Sequence, residues 1–326
     1  MSNSFFTAFH QYTRRQLGTI LAKVGFRYTS YYQKQRAIER LSTIAEGIRY
    51  LEHSSTDKTQ PSSEEAPIFI FSAGWRSGST LLQRLICSSG NTLIWGEPYA
   101  HCNYIQTLAS TLQPFNQKYP PEHFYLKNTP QLKDLSAAWI ANLYPESHHL
   151  KAAHLQFFDY LFAQPAKAAG AQHWGLKEVR LNTQHALYLK WLYPKAKFLF
   201  LYRNVYNAYR SYKGLTYYAA WPNHPVPNAY TFAKFWTQLV QDYLQNAKHI
   251  GGVLIPFEKL TSSCYEINQL AEYLNLELDS NVLSRRITGH IGIDAIPRHL
   301  SWYELMIIRQ IAGSVAKQLG YNPTNH

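Results

Sequence analysis

The sequence predicts an α/β protein: a mostly parallel central sheet with helices on both faces, three layers in all. Two observations carry this. Short apolar runs, "PIFIFS" (67–72), "TLIW" (92–95), "KFLFLY" (197–202) and "GVLIPF" (252–257), are each too short for a helix and are set off by polar turns. Stretches with helical spacing of apolar residues lie between them, and strands alternating with helices imply parallel crossover units buried on both sides. Composition agrees with a packed core, since 46% of the 326 residues are hydrophobic and only 16% charged.

Taken in order, residues 1–52 carry eight Lys/Arg against three Glu. Leu17, Ile20, Leu21 and Val24, then Leu41, Ile44, Ala45 and Ile48, recur at helical spacing, giving two basic amphipathic helices. Such helices dock on an anionic membrane surface or a partner, or pack on the main domain, which is the commoner outcome. Residues 53–66, "HSSTDKTQPSSEEA", show no hydrophobic period and read as a linker. The main domain is expected over 67–326, with a helical, proline-bearing insertion at about 104–170 that shapes an acceptor pocket. Helices are expected at 81–89, through "INQLAEYLNL", and at the end, where Leu305, Ile308, Ala312, Val315 and Leu319 precede Gly320.

No run approaches the roughly 18 uninterrupted apolar residues of a membrane span, and the start lacks the order of a secretory signal, so a cytoplasmic protein is expected. Three cysteines, Cys87, Cys102 and Cys264, have neither the even number of a disulfide framework nor the spacing of a metal site. The formal charge of +12 favours an anionic ligand. Its Lys and Arg are dispersed rather than clustered with aromatics, which argues against nucleic acid.

The chemistry concentrates in "FIFSAGWRSGSTLL" (69–82). A strand ending in a Gly/Ser loop that opens a helix leaves the first-turn N–H groups pointing at whatever anion sits there. In triphosphate-binding loops a lysine follows the last glycine. Here Ser79 follows Gly78, so the loop geometry is kept without the triphosphate chemistry, and Arg76 is the nearest cation. A second strand ends in "LYRNVYNAYRSYKG", where Arg203 leaves the strand and Ser211 lies two helical turns on. An arginine fork and a hydroxyl suit a second phosphate. Ligands bind beyond the carboxyl ends of parallel strands, so the two turns are candidate neighbours despite their separation.

These residues resemble a family. "AGWRSGSTLL" is similar to the 5′-phosphosulfate loop, and "YRNVYNAYRSY" to the 3′-phosphate segment, of sulfotransferases that use 3′-phosphoadenosine 5′-phosphosulfate (PAPS). "GVLIPFEKL" and the terminal helix resemble the family more weakly. The likeness spans about 67–322, and it is closest in pattern to bacterial, carbohydrate and tyrosylprotein members. It implies a P-loop-like sulfotransferase fold, no metal, and PAPS as co-substrate. By residue, it gives Arg76, Ser77, Gly78, Ser79 and Thr80 to the 5′-phosphate and sulfonate, and Arg203 with Ser211 to the 3′-phosphate. "LIWGEPYAH" resembles the stretch that carries a glutamate base in carbohydrate and tyrosylprotein members, which makes Glu97 the candidate base and His101 the fallback. "HWGLKEVR" (173–180) resembles the segment with a lysine near the reacting centre; Lys177 is assigned to the leaving group, against an ordinary strand-end ion pair with Glu178. Arg285, Arg286 or Arg298 is expected to close over the adenosine, though the family's usual arginine-lysine-glycine form is absent.

The expected reaction is sulfonate transfer to a hydroxyl, on a sugar or glycan. A P-loop kinase-like enzyme is the second reading and lacks the lysine it needs; a non-catalytic scaffold is the third. Tyr217, Tyr218 and Trp221 stack on an acceptor or simply pack, packing being the commoner case.

Overall fold

The computed structural model describes residues 42–54, 63–117, 119–126, 132–137, 140–213, 226–285 and 298–322. The first amphipathic helix, Tyr217, Tyr218, Trp221 and Arg286 lie outside these. The chain runs α1 (Ile44–Ser54), β1 (Ile68–Ser72), α2 (Ser79–Cys87), β2 (Thr92–Gly96), α3 (Tyr104–Ser110) and α4 (Ser147–Phe158). A π-helical turn, Asp159–Ala163, leads into α5 (Gln164–Ala168). Then follow β3 (His173–Glu178), α6 (Thr183–Leu192), β4 (Lys197–Tyr202), α7 (Val205–Lys213), α8 (Ala229–Ile250), β5 (Val253–Pro256), α9 (Phe257–Ser262), α10 (Cys264–Leu274) and α11 (Trp302–Gln318).

Among the described residues five strands form one sheet in the order β2-β3-β1-β4-β5, and each of these pairings is parallel. Central β1 is buried along its whole length, which is why its sequence is a continuous apolar run rather than an alternation. Its two faces nonetheless differ. Ile68 and Ile70 join Leu199 and Leu201 beneath Leu82, Leu85 and Ile86 of α2 and the apolar sides of α9 and α10. Phe69 and Phe71 face the other way, packing on Phe198 and Phe200 at centroid distances of 5.5 and 5.4 Å beneath α6, α8 and their neighbours.

Helix α1 belongs to this second layer. Ile44, Ile48 and Leu51 are buried in it, and Gly47 lies so close to the chain at Leu112 that a Cβ there would sit 2.0 Å from the Leu112 carbonyl oxygen. The helix also extends two residues into the stretch read as linker, and the end of that stretch is tied down: Glu64 pairs with Lys195, and Glu65 with Lys167 and Trp174 Nε1. The insertion is largely short helical pieces, yet Ile105, Ala109, Phe158 and Phe162 from it enter the main core.

Chain direction makes a crevice. From β1 the chain crosses to β2 on one side, while from adjacent β4 it crosses to β5 on the other, so the loops after β1 and β4 diverge at their carboxyl ends. Ser72 is level with Leu201, so the 73–78 loop starts beside the turn at Arg203 and Asn204.

Candidate active site

The loop after β1 is anchored on both flanking strands, Ala73 N–H donating to Leu201 O (2.8 Å) and Gly74 N–H to Val179 O (3.2 Å). It then turns through left-handed backbone at Gly74 (φ 82°), Arg76 (φ 62°) and Gly78 (φ 90°). The Ser77 hydroxyl is buried and points inward, donating to Ala73 O and Gly74 O, so only the Ser77 backbone faces a ligand. Gly78 caps α2 with no side-chain acceptor, which leaves the amides of Ser79 and Thr80 as outward donors. A Cβ at Gly78 would lie 2.1 Å from the ring of Phe257. That ring, the first residue of α9, is also the surface on which the Arg203 guanidinium rests, 4.5 Å from its centroid.

Arg203 and Arg76 meet in this crevice. Arg203 Nη1 donates to the Arg76 carbonyl oxygen at 3.0 Å, and Arg76 Nε donates to Ser211 Oγ at 2.8 Å. Ser211 is presented by α7, whose start is capped by Asn204 Oδ1 accepting from Tyr206 N–H (3.0 Å). Trp236 Nε1 fixes the Arg203 carbonyl at 3.0 Å. Burial pushes Arg203 below its ordinary pKa, with the Glu258 carboxylate nearby opposing that shift. Glu258 is itself engaged by Asn204 N–H and the Tyr321 hydroxyl, both at 2.9 Å. Arg203 Nε is buried without a hydrogen-bond partner among the described residues.

Glu97 follows β2 with φ 39°, and its N–H donates to Lys177 O at 2.8 Å. Lys177 stands opposite Ile70 of β1, near the foot of the loop, and its Nζ donates to Glu97 Oε1 at 2.5 Å. The expected strand-end partner Glu178 is taken by another cation: Arg180 Nε and Nη2 fork onto its two oxygens at 3.0 and 2.6 Å. His101 is exposed in a 3-10 turn, Ala100–Cys102. Arg298 is exposed, and its backbone N–H donates to Arg210 O at 3.3 Å, which brings this segment alongside α7. Arg285 pairs instead with Asp279 at 3.2 Å. No group of His, Cys, Asp and Glu capable of holding a metal occurs among the described residues. Sequence reasoning missed Phe257 and Glu258 as parts of the site, although both lie in a quoted segment; the signal was their place directly after a strand.

A parallel sheet with a glycine-capped loop after its central strand and two guanidinium groups in the same crevice defines a P-loop-type α/β protein. The chain belongs to the sulfotransferase family, whose profile matches residues 67–280. It is similar to the sulfotransferase domain of the Synechococcus PCC 7002 olefin synthase, with 15% identity over 82% of this chain and 99% of that one and a TM-score of 0.45. It is also similar to a sulfotransferase from Alicyclobacillus acidocaldarius, with 13% identity over 80% and 98% and a TM-score of 0.41. No curated protein matches.

Proposed function

We propose that this protein transfers a sulfonate group from PAPS to a hydroxyl of a carbohydrate or glycan. The observation that carries the reading is the convergence of Arg76 with Arg203 and Ser211, both more than a hundred residues further along the chain, through contacts of 2.8 and 3.0 Å. Two anion grips in one crevice fit a donor with phosphates at both its 3′ and 5′ positions. The amides opening α2 and Arg76 take the 5′-phosphate and sulfonate, while Arg203 and Ser211 take the 3′-phosphate. Arg298, beside α7, is the described arginine of the C-terminal segment best located to approach the donor.

In the reaction the acceptor oxygen bonds to sulfur as the bond from sulfur to the 5′-phosphate oxygen breaks, and the acceptor proton passes to Glu97. The products are the sulfate ester and 3′,5′-adenosine bisphosphate. Lys177 holds Glu97 Oε1; among the described residues Oε2 has no hydrogen-bond partner, so it is the oxygen that receives the proton. Lys177 holds the base and stands on β3 opposite Ile70 of β1, the strand that leads into the loop, which suits it to the negative charge that builds on the departing oxygen. A glutamate rather than a histidine in the base position favours a sugar hydroxyl over a phenol.

Radiolabelled PAPS with a panel of glycans, tyrosine peptides and phenols tests this. Label is expected in a glycan with the wild-type protein and absent with Glu97→Gln. Transfer to a phenol or peptide alone overturns the acceptor class. No transfer to any acceptor, together with no calorimetric binding of 3′,5′-adenosine bisphosphate, overturns the whole reading, and unchanged turnover in Glu97→Gln removes the base.

A further inference from the structure

The segment from Glu97 to Asn103 is held in an unfavourable backbone shape. Glu97, Tyr99 and Asn103 have φ of 39°, 52° and 49°, so three non-glycine residues out of seven adopt left-handed backbone. Such residues are uncommon singly, and a cluster persists only where the surroundings over-determine it. Two ties to β3 and the residues just beyond it do this. At one end Glu97 N–H donates to Lys177 O. At the other, Arg180 Nη1 donates to Asn103 Oδ1 at 3.1 Å.

The second tie is built to be rigid. The Arg180 side chain is fully buried, and its fork onto Glu178 fixes the guanidinium plane. Glu178 is fixed in turn, since its Oε1 also accepts the Val179 N–H at 2.7 Å. Asn103 immediately precedes α3, where an asparagine ordinarily turns its side chain onto the first-turn amides. Here it caps nothing, and its oxygen goes to Arg180 instead. A helix cap has been exchanged for a tie across the site.

We infer that Arg180, through Asn103, is a positioning residue that sets the place of Glu97 relative to the donor sulfonate. This rests on the reading of Glu97 as the base. The short β3 end then serves the base loop twice, Lys177 at its start and Arg180 at its finish, with no contact from Arg180 to the reacting atoms required.

Arg180 variants bury or lose a charge and risk unfolding, so the test is made at Asn103. Asn103→Ala is expected to lower kcat about tenfold or more, because small misplacements of a reacting group are costly, while leaving the donor KM and the affinity for 3′,5′-adenosine bisphosphate unchanged. Asn103→Asp keeps the acceptor oxygen and restores most of kcat. Asn103→Gly relieves the backbone but drops the tie, and is expected to be as slow as the alanine variant. Hydrogen exchange on the full chain gives a readout independent of turnover: amides of 97–103 exchange faster in Asn103→Ala, those of 73–80 do not.

Unchanged exchange at 97–103, an active glycine variant, or an equal loss of bisphosphate affinity each overturns the inference. Loss of activity in Glu97→Gln beside full activity in Asn103→Ala overturns the tie alone. Full activity in Glu97→Gln overturns the base assignment, and with it the purpose of the tie.

Discussion

A guanidinium withdrawn from water needs an anion, and Arg203 has none at ion-pairing distance among the described residues, since Glu258 spends its oxygens on Asn204 and Tyr321. A buried, unpaired charge is destabilising unless a ligand completes it. Arg203→Ala is therefore expected to weaken 3′,5′-adenosine bisphosphate binding by about 2 kcal/mol or more through lost charge-assisted hydrogen bonds. Arg76 differs: its Nε is already spent on Ser211, and its charge is most needed as negative charge grows on the bridging oxygen. Arg76→Ala is expected to lower kcat more than bisphosphate affinity, so calorimetry and turnover on both variants separate the roles, and equal losses in both would contradict them. Arg76, Arg203 and Ser211 were legible in the sequence because each sits in a short strand-loop-helix pattern whose chemistry is local. The partner of Lys177 was not, because Glu97 reaches it across the sheet, whereas the nearer Glu178 points to the opposite face and meets Arg180.

At the scale of elements, β1 and β4 were readable as strands because burial on both faces leaves little but apolar residues in them, and the half-buried edge strands β2 and β5 because each is a short apolar run set off by polar turns. The third was legible only as a strand end, since "HWGLKE" closes on two charges, and a charge argues against a buried position until its partner is known. Lys177 and Glu178 are both buried, and each is neutralised by a residue outside the strand. The second amphipathic helix was legible as a helix, but what it packs on depends on Leu112 and Gln113 of the insertion and Gln184 of α6, which no local pattern connects to it. Its seat makes a stability prediction. Leu51 is 2% exposed, so Leu51→Ala is expected to cost about 2–4 kcal/mol by leaving a cavity. Gly47→Ala is expected to lower stability as well, by pressing a methyl into the Leu112 carbonyl. Both lower the urea midpoint, and unaltered midpoints would mean that the helix does not stand on the core.

For the molecule as a whole, the fold carries an acid limit that does not come from the site. His154 is buried and His185 half-buried on the helical layer opposite α2, and desolvation pushes each down to about 4. His154 faces the Tyr188 hydroxyl at 3.1 Å, and His185 accepts the Asn182 N–H while Asp242 and Glu178 act on it from a distance. A histidine whose folded pKa is depressed is neutral in the native state and takes up its proton on unfolding. Stability is therefore intact above the unfolded value of about 6.5 and is lost as pH falls toward the folded value, on the order of 3 kcal/mol for each group across the full window. Glu304 extends this to lower pH: burial raises its pKa but Lys213 and Ser301 lower it more, so below about 4.5 its protonation costs stability and loosens the contact of α11 with the helix that presents Ser211. The excess of positive charge, +12 near neutrality, grows in acid and works against the compact state as well. The melting temperature is expected to fall between about pH 7 and about pH 5. The double variant His154→Gln, His185→Gln is expected to have a flatter dependence even if it melts lower at neutral pH, and an identical slope in variant and wild type would show that other groups set the limit.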